Sequence, residues 1–234
     1  MLAALLAITI AATPADTGKH VFFTGDLGLV NTSGNTDQTT GSAGDKLILL
    51  GGGWKFTQTF AVTYARSNDS VTAELWQAGV RGDRELSKRI TLFVLTDFQR
   101  NTFAGLRSRV SPSFGISAMA IAAARDTLRI EAGGGYTFQR AVPPDTGRNF
   151  PAGRLAAIYH HQLSGKASFD EAIEFLPNFD VGADYRINSE TAITAPITAG
   201  IAMKASYVVH YEGLPEPGFK KTDRILTTGI QVTF

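Results

Sequence analysis

Side-chain character in this chain alternates from one residue to the next, segment after segment, and no long stretch carries the period of a helix. A period of two means that successive side chains point to opposite faces of an extended strand. In the last segment Leu226, Thr228, Ile230, Val232 and Phe234 share one face, while Thr227, Gly229, Gln231 and Thr233 share the other. Ile201, Met203, Ala205, Tyr207 and Val209 oppose Lys204, Ser206 and His210 in the segment before it. Phe56, Phe60, Val62 and Tyr64 oppose Lys55, Thr57, Thr59 and Thr63; Ile130, Ala132, Tyr136 and Phe138 oppose Arg129, Glu131, Thr137 and Gln139. Val110, Phe114 and Ile116 oppose Arg109, Ser111, Ser113 and Ser117. The chain is therefore all-β.

About twelve such segments can be placed: 21–31, 41–50, 53–66, 72–85, 89–100, 108–120, 127–140, 153–163, 167–176, 185–196, 200–211 and 223–234. The turns at 51–53, 86–88, 122–126, 164–166 and 197–199 are short. The connections at 32–40, 67–71, 141–152 and 212–222 are mostly longer and richer in Asn, Asp, Pro and Gly. That alternation of short and long connections, with an even strand count, is the form of an antiparallel up-and-down barrel with short periplasmic turns.

Periodicity alone also fits a soluble sandwich with its apolar face inward. Three features favour a barrel whose apolar face meets lipid. Tyr64, Trp76, Phe98, Tyr136, Tyr185, Tyr207 and Tyr211 fall toward strand ends or in the outward parity, where interfacial girdles form. The opposite parity is charged as well as polar: Arg81, Asp83, Asp97, Arg109, Arg129, Glu131, Glu174, Arg186, Glu190, Lys204 and His210 are the candidate lumen-lining residues. Finally, Phe234 closes an alternating strand, the form of signal by which barrels engage the barrel-assembly machinery.

Composition agrees. Charged residues make up 18% of the chain, below the roughly 25% of soluble domains, while 24 glycines and 15 phenylalanines suit twisted, aromatic-rich strands. The net charge is +1, with both signs scattered, which leaves no electrostatic footprint for nucleic acid. Without cysteine there are no disulfides, thiolate metal sites or cysteine nucleophiles. The apolar run Met1 to Ala12, followed by small residues and Pro14, is too short to span a bilayer as a helix and reads as a signal peptide over residues 1–15. Residues 16–234 are then the barrel.

No cofactor, metal or catalytic constellation emerges. His160 and His161 are adjacent on a strand, so they face opposite ways and do not chelate one ion. Ser206 and His210 share a parity but stand roughly 13 Å apart by the strand rise, beyond the reach of a nucleophile and its base. Ser33 to Asp37 reads as a hairpin turn, with a cation loop as the alternative. Charges inside a narrow barrel must pair or be hydrated, so the lumen is either salt-bridged and largely closed or a selective wet channel. Arg107, Arg148, Lys220 and Lys221 in outer loops are placed to meet lipopolysaccharide phosphates.

Several ordered motifs are specific beyond these patterns. They include Thr32-Ser33-Gly34-Asn35-Thr36-Asp37, then Phe103 to Arg109, Gly133 to Tyr136 and Phe175-Leu176-Pro177. Ser189 to Ala192 with Pro196, and Pro215 to Asp223, complete the set. Across nearly all of the segment after the signal peptide, the chain resembles the YdiY-type salt-induced outer-membrane proteins, a family with a domain of unknown function. The resemblance implies an outer-membrane barrel tied to envelope stress and supplies no catalytic residues. The expectation is a non-enzymatic barrel of the Gram-negative outer membrane, a narrow pore for small ions or solutes or a structural barrel under salt or acid stress. Its surroundings would be outer-membrane lipid and lipopolysaccharide. The alternative is an outer-membrane lipid hydrolase or protease.

Overall fold

A computed structural model describes residues 20–32, 38–67, 70–144, 147–163 and 167–233. The expected signal peptide, the Ser33 to Asp37 turn, the Ser164 to Lys166 turn and Phe234 lie outside the described residues. Twelve antiparallel strands close into a barrel in sequence order: β1 (Val21–Thr32), β2 (Gln38–Gly51), β3 (Trp54–Ser67), β4 (Ser70–Glu85), β5 (Ile90–Asn101), β6 (Leu106–Ala122), β7 (Asp126–Ala141), β8 (Arg148–Gln162), β9 (Ser168–Pro177), β10 (Tyr185–Thr198), β11 (Ile201–Glu212) and β12 (Thr222–Thr233). β1 meets β12 through the register Thr24↔Thr233 to Gly28↔Gly229. That seam removes the last sheet edge, so the ladder satisfies its backbone groups without water, the condition for crossing hydrocarbon.

Alternation sets the two surfaces. Leu27, Phe114 and Leu226 point outward, about 70% exposed each, although they sit in strands. Aromatic pairs line the same face, among them Trp54 stacked on Phe56 with centroids 5.9 Å apart and Tyr185 against Tyr211 at 5.6 Å. A continuous apolar exterior of this kind is stable only against lipid, and single-chain barrels with an even strand count belong to the bacterial outer membrane. The five turns on the end that carries His20 and Thr233 are short. That end is periplasmic, and the longest connections, 178–184 and 213–221, lie at the extracellular mouth.

The strands run further into the outer loops than alternation suggests. β8 begins at Arg148 rather than near Gly153, passing through Pro151, which pairs in register with Tyr136. The Pro151 carbonyl accepts from Phe179 N at 3.0 Å, so its missing N–H faces the side where β9 has already ended. Proline costs no ladder bond there. In β6, Leu106 pairs with Ala141 and Ser108 with Arg140, which leaves Arg107 as an extra, bulged residue. The bulge resets the parity so that Leu106 and Arg109 both point inward.

Candidate functional site: the charged lumen

Beyond Arg109 the inward face of β6 is small over Ser111, Ser113, Gly115 and Ser117. Long side chains from β4 can therefore reach over it to β7. Arg81 of β4 donates from Nη2 to Glu131 Oε1 of β7 at 2.7 Å and from Nη1 to Oε2 at 2.9 Å. Two whole strands lie between them, roughly 14 Å of sheet at ordinary strand spacing. The same guanidinium donates to Asp83 Oδ1 at 2.8 Å and lies over the buried Phe93 ring, 4.4 Å from its centroid. Gly115 makes room for that ring, since a Cβ there would stand 2.7 Å from Phe93 Cζ and 2.3 Å from the Ala132 carbonyl oxygen.

Glu131, with no exposed surface, is the hub. Arg129 Nε lies 3.2 Å from Glu131 Oε1 and Arg154 Nη2 3.3 Å from Oε2. Arg154 also pairs with Glu174 on β9. Glu174 accepts from Asn188 Nδ2 at 2.9 Å, and Asn188 Oδ1 accepts from His210 Nδ1 at 2.8 Å. At the other end Lys55 Nζ sits 3.7 Å from Asp83. A connected polar chain thus follows the inner wall from Lys55 on β3 to His210 on β11. A buried carboxylate facing three guanidiniums avoids the cost of an isolated charge only while these pairs persist.

A second cluster sits at the mouth. Arg109 of β6 donates to Gln139 Oε1 at 2.8 Å, to Gln99 Oε1 at 3.2 Å and to Glu212 Oε1 of β11 at 2.7 Å. β6 and β11 stand on opposite sides of the barrel, so the last bond crosses the lumen. Loop 213–221 follows it across. Gln139 Nε2 donates to Glu216 Oε1 at 2.8 Å, Arg148 Nη2 donates to the Leu214 carbonyl at 3.1 Å, and Phe219 rests against Gly105. Gly105 holds φ at +76°, where a side chain would be both strained and in the way of that ring. Leu75 of β4 meets Val208 and Ile225 in a buried apolar cluster, a further contact across the lumen.

Two cavities of about 70 and 40 Å³ share Gln99, Arg109, Arg186 and Asn188 in their linings. Asp97, Arg154 and Glu174 line the first, and His210, Lys220 and Lys221 line the second. Each exceeds the roughly 10–15 Å³ that one water requires, and both walls are polar enough to hold it. On the opposite wall Lys204 Nζ lies 3.5 Å from Glu190 Oε1 and Gln231 donates to Asp26 at 3.1 Å.

All eleven charged and histidine residues singled out above stand on the inward parity. Arg81, Asp83, Arg129, Glu131, Glu174 and His210 join the wall chain; Arg109 anchors the mouth, Asp97 and Arg186 face the cavities, and Glu190 pairs with Lys204. Alternation does not single out Arg154, whose parity is carried by Ala156 and Ile158, Glu212, which ends β11, or Glu216, which lies in loop 213–221. Arg148 turns to Asp184 and loop 213–221 rather than outward. Ser206 and His210 do not meet: Ser206 Oγ is bonded to Thr227 Oγ1 at 2.6 Å, and His210 to Asn188. His160 faces in toward Asp170 and His161 faces out toward Asp126.

The family model described as "Protein of unknown function, DUF481" matches residues 25–234. The Escherichia coli K12 protein described as "Uncharacterized protein YdiY" is 25% identical over 226 residues, which span 95% of this chain and 86% of that protein. Among solved structures, the NanC porin aligns with a TM-score of 0.54 at 11% identity, over 89% of this chain and 98% of the porin. The translocator domain of the autotransporter NalP from Neisseria meningitidis gives 0.50 at 12% identity, over 94% and 89%. The KdgM porin gives 0.50 at 8% identity, over 92% and 99%. At such identities the likeness is one of fold.

Proposed function

Because the chain belongs to the DUF481 family and folds as an outer-membrane β-barrel, we propose that it is a narrow, non-enzymatic pore for small ions or solutes. The observation that supports this reading is the pair of cavities with charged side chains in their linings that meet at Gln99, Arg109, Arg186 and Asn188, with the Arg109–Glu212 bond and loop 213–221 beside them at the mouth. Compartments large enough for water, with charged side chains in their linings and an apolar constriction at Leu75, Val208 and Ile225, are parts from which selective narrow channels are built. In this reading the pore serves the envelope under salt or acid stress, with assembly through the C-terminal strand.

Refolded protein in planar bilayers tests it. Small, discrete openings are expected from the native chain, rising in size when the mouth bridge is removed. No ion-permeable opening from either the native protein or a mouth-bridge variant sinks the pore and leaves a structural barrel. Growth of a strain lacking the gene at high salt and at low pH tests the stress role separately, and growth indistinguishable from the parent removes it.

A further inference from the structure

We propose that the outer face of β5, β6 and β7, at the extracellular rim, is a binding site for a phosphorylated lipid headgroup of the outer leaflet, built on Arg100, Arg107 and Arg140. Parity places them. Arg100 lies two residues beyond the outward Phe98 on β5, and Arg140 two beyond the outward Phe138 on β7. Between those strands, the β6 bulge inserts Arg107 as a residue with no register partner on either side, since Asn101 and Ala141 both pair with Leu106. Bulges re-aim side chains. This one adds a guanidinium to the rim at the strand that separates the other two.

All three arginines are exposed, and none makes a hydrogen bond or ion pair with another side chain among the described residues. The local sequence explains why: residues 98–110 and 136–144, the described residues that form this rim, contain no Asp or Glu. On the flanking strand β4, Glu74 is taken by the Trp76 indole N–H, which donates to it at 2.9 Å. The contrast with the lumen is sharp, because every guanidinium of the wall chain has a carboxylate.

Height and neighbours select the partner. The arginines stand just beyond Phe98, Tyr136 and Phe138 along their strands, all of which face outward, and Arg100 pairs in register with the outward Trp76; Tyr136 and Phe138 are in ring contact at 5.0 Å. Aromatics at that level mark the junction of acyl chains and headgroups, and long cationic side chains beyond them reach into the headgroup layer. Guanidinium matches phosphate with two parallel hydrogen bonds, and a lipid offers that phosphate with chains that fit the apolar shelf below. A bisphosphorylated glucosamine lipid, as in lipopolysaccharide, supplies both. The site rests on the membrane orientation and not on conduction.

The test compares refolded native protein with the R100Q/R107Q/R140Q variant and with K88Q/R89Q/R125Q, which removes the same charge from the periplasmic turns. Bound bisphosphorylated lipid A is counted by native mass spectrometry, and dephosphorylated lipid A serves as the second ligand. The native protein and the periplasmic variant are expected to retain the phosphorylated lipid, the rim variant to lose at least about tenfold in affinity. The dephosphorylated lipid should bind all three weakly and alike. Equal binding by the rim variant, or equal binding of the two lipids by the native protein, overturns the site. Heat-modifiable gel migration reports folding of each variant; single substitutions R100Q and R140Q replace the triple if it does not fold. Conductance in phosphatidylcholine bilayers separates the readings, since the rim variant should conduct as the native protein does.

Discussion

The wall chain around Glu131 and the mouth cluster around Arg109 use the same residue types, yet they differ in what holds them. Glu131 is fully buried and meets three guanidiniums, with Arg81 fixed further by Asp83 and Phe93. Glu212 keeps 28% of its side-chain surface exposed and meets one, while Arg148 above it is 32% exposed. The first arrangement fixes the spacing of strands β3 to β9 along one wall. The second spans the opening between opposite walls, joining the buried Arg109 to a carboxylate that water reaches. Like chemistry therefore braces one wall at one height and spans the opening at another.

Glu131→Ala should have the largest effect. It leaves Arg81, Arg129 and Arg154 as clustered buried cations, and breaking one side of a buried ion pair costs about 3–5 kcal/mol. Urea unfolding in lipid vesicles is expected to show that loss, with Glu131→Gln recovering part of it. A Glu131→Ala barrel as stable as the native one would mean that the wall chain is hydrated and interchangeable with the mouth cluster. Gly115→Ala is the next largest. Its methyl group would collide with Phe93 and with the β7 backbone, and forced overpacking costs about 1–3 kcal/mol. Pairing it with Phe93→Leu should return only the smaller part due to the ring, because the Ala132 carbonyl and Gly133 Cα stay 2.3 and 2.7 Å away, and full recovery would place the strain in the ring contact instead.

The two clusters also differ in how far they can be seen in the sequence. Strand order, outward aromatics and the inward parity of Arg81, Glu131 or Lys204 are legible because a period of two fixes the face of every residue in a strand. Which inward residues touch is a different matter. Arg81 and Glu131 lie 50 positions apart, and they meet only because β6 between them carries serine and glycine. That feature is visible in the sequence but is informative only once β6 is known to lie between β4 and β7. The mouth was hidden further: alternation marks Arg109 as inward, but Glu216 belongs to a loop, Glu212 comes from the far wall, and the bulge at Arg107 turns Leu106 inward against the parity of β6. Pro151 concealed the first turn of β8 in the same way, by a local signal that the neighbouring chain overrides.

The smallest expected change in stability belongs to Glu212→Gln, and it is the most discriminating. The amide keeps the shape of the side chain, and Arg109 retains Gln139 and Gln99. With two acceptors left to the buried Arg109 and only Glu212 partly exposed, the loss should be about 1 kcal/mol, so the urea midpoint should move by little. Conductance should respond instead. Without the charge that draws Arg109 across the lumen, the bond to β11 weakens, loop 213–221 loses the support beneath Glu216, and the two cavities open to each other and to the outside. Single-channel recordings of the variant should show larger or more frequent openings than the native protein at unchanged stability. If openings are unchanged while stability falls by several kcal/mol, the mouth cluster is a second scaffold and the distinction between the two heights of the lumen is lost.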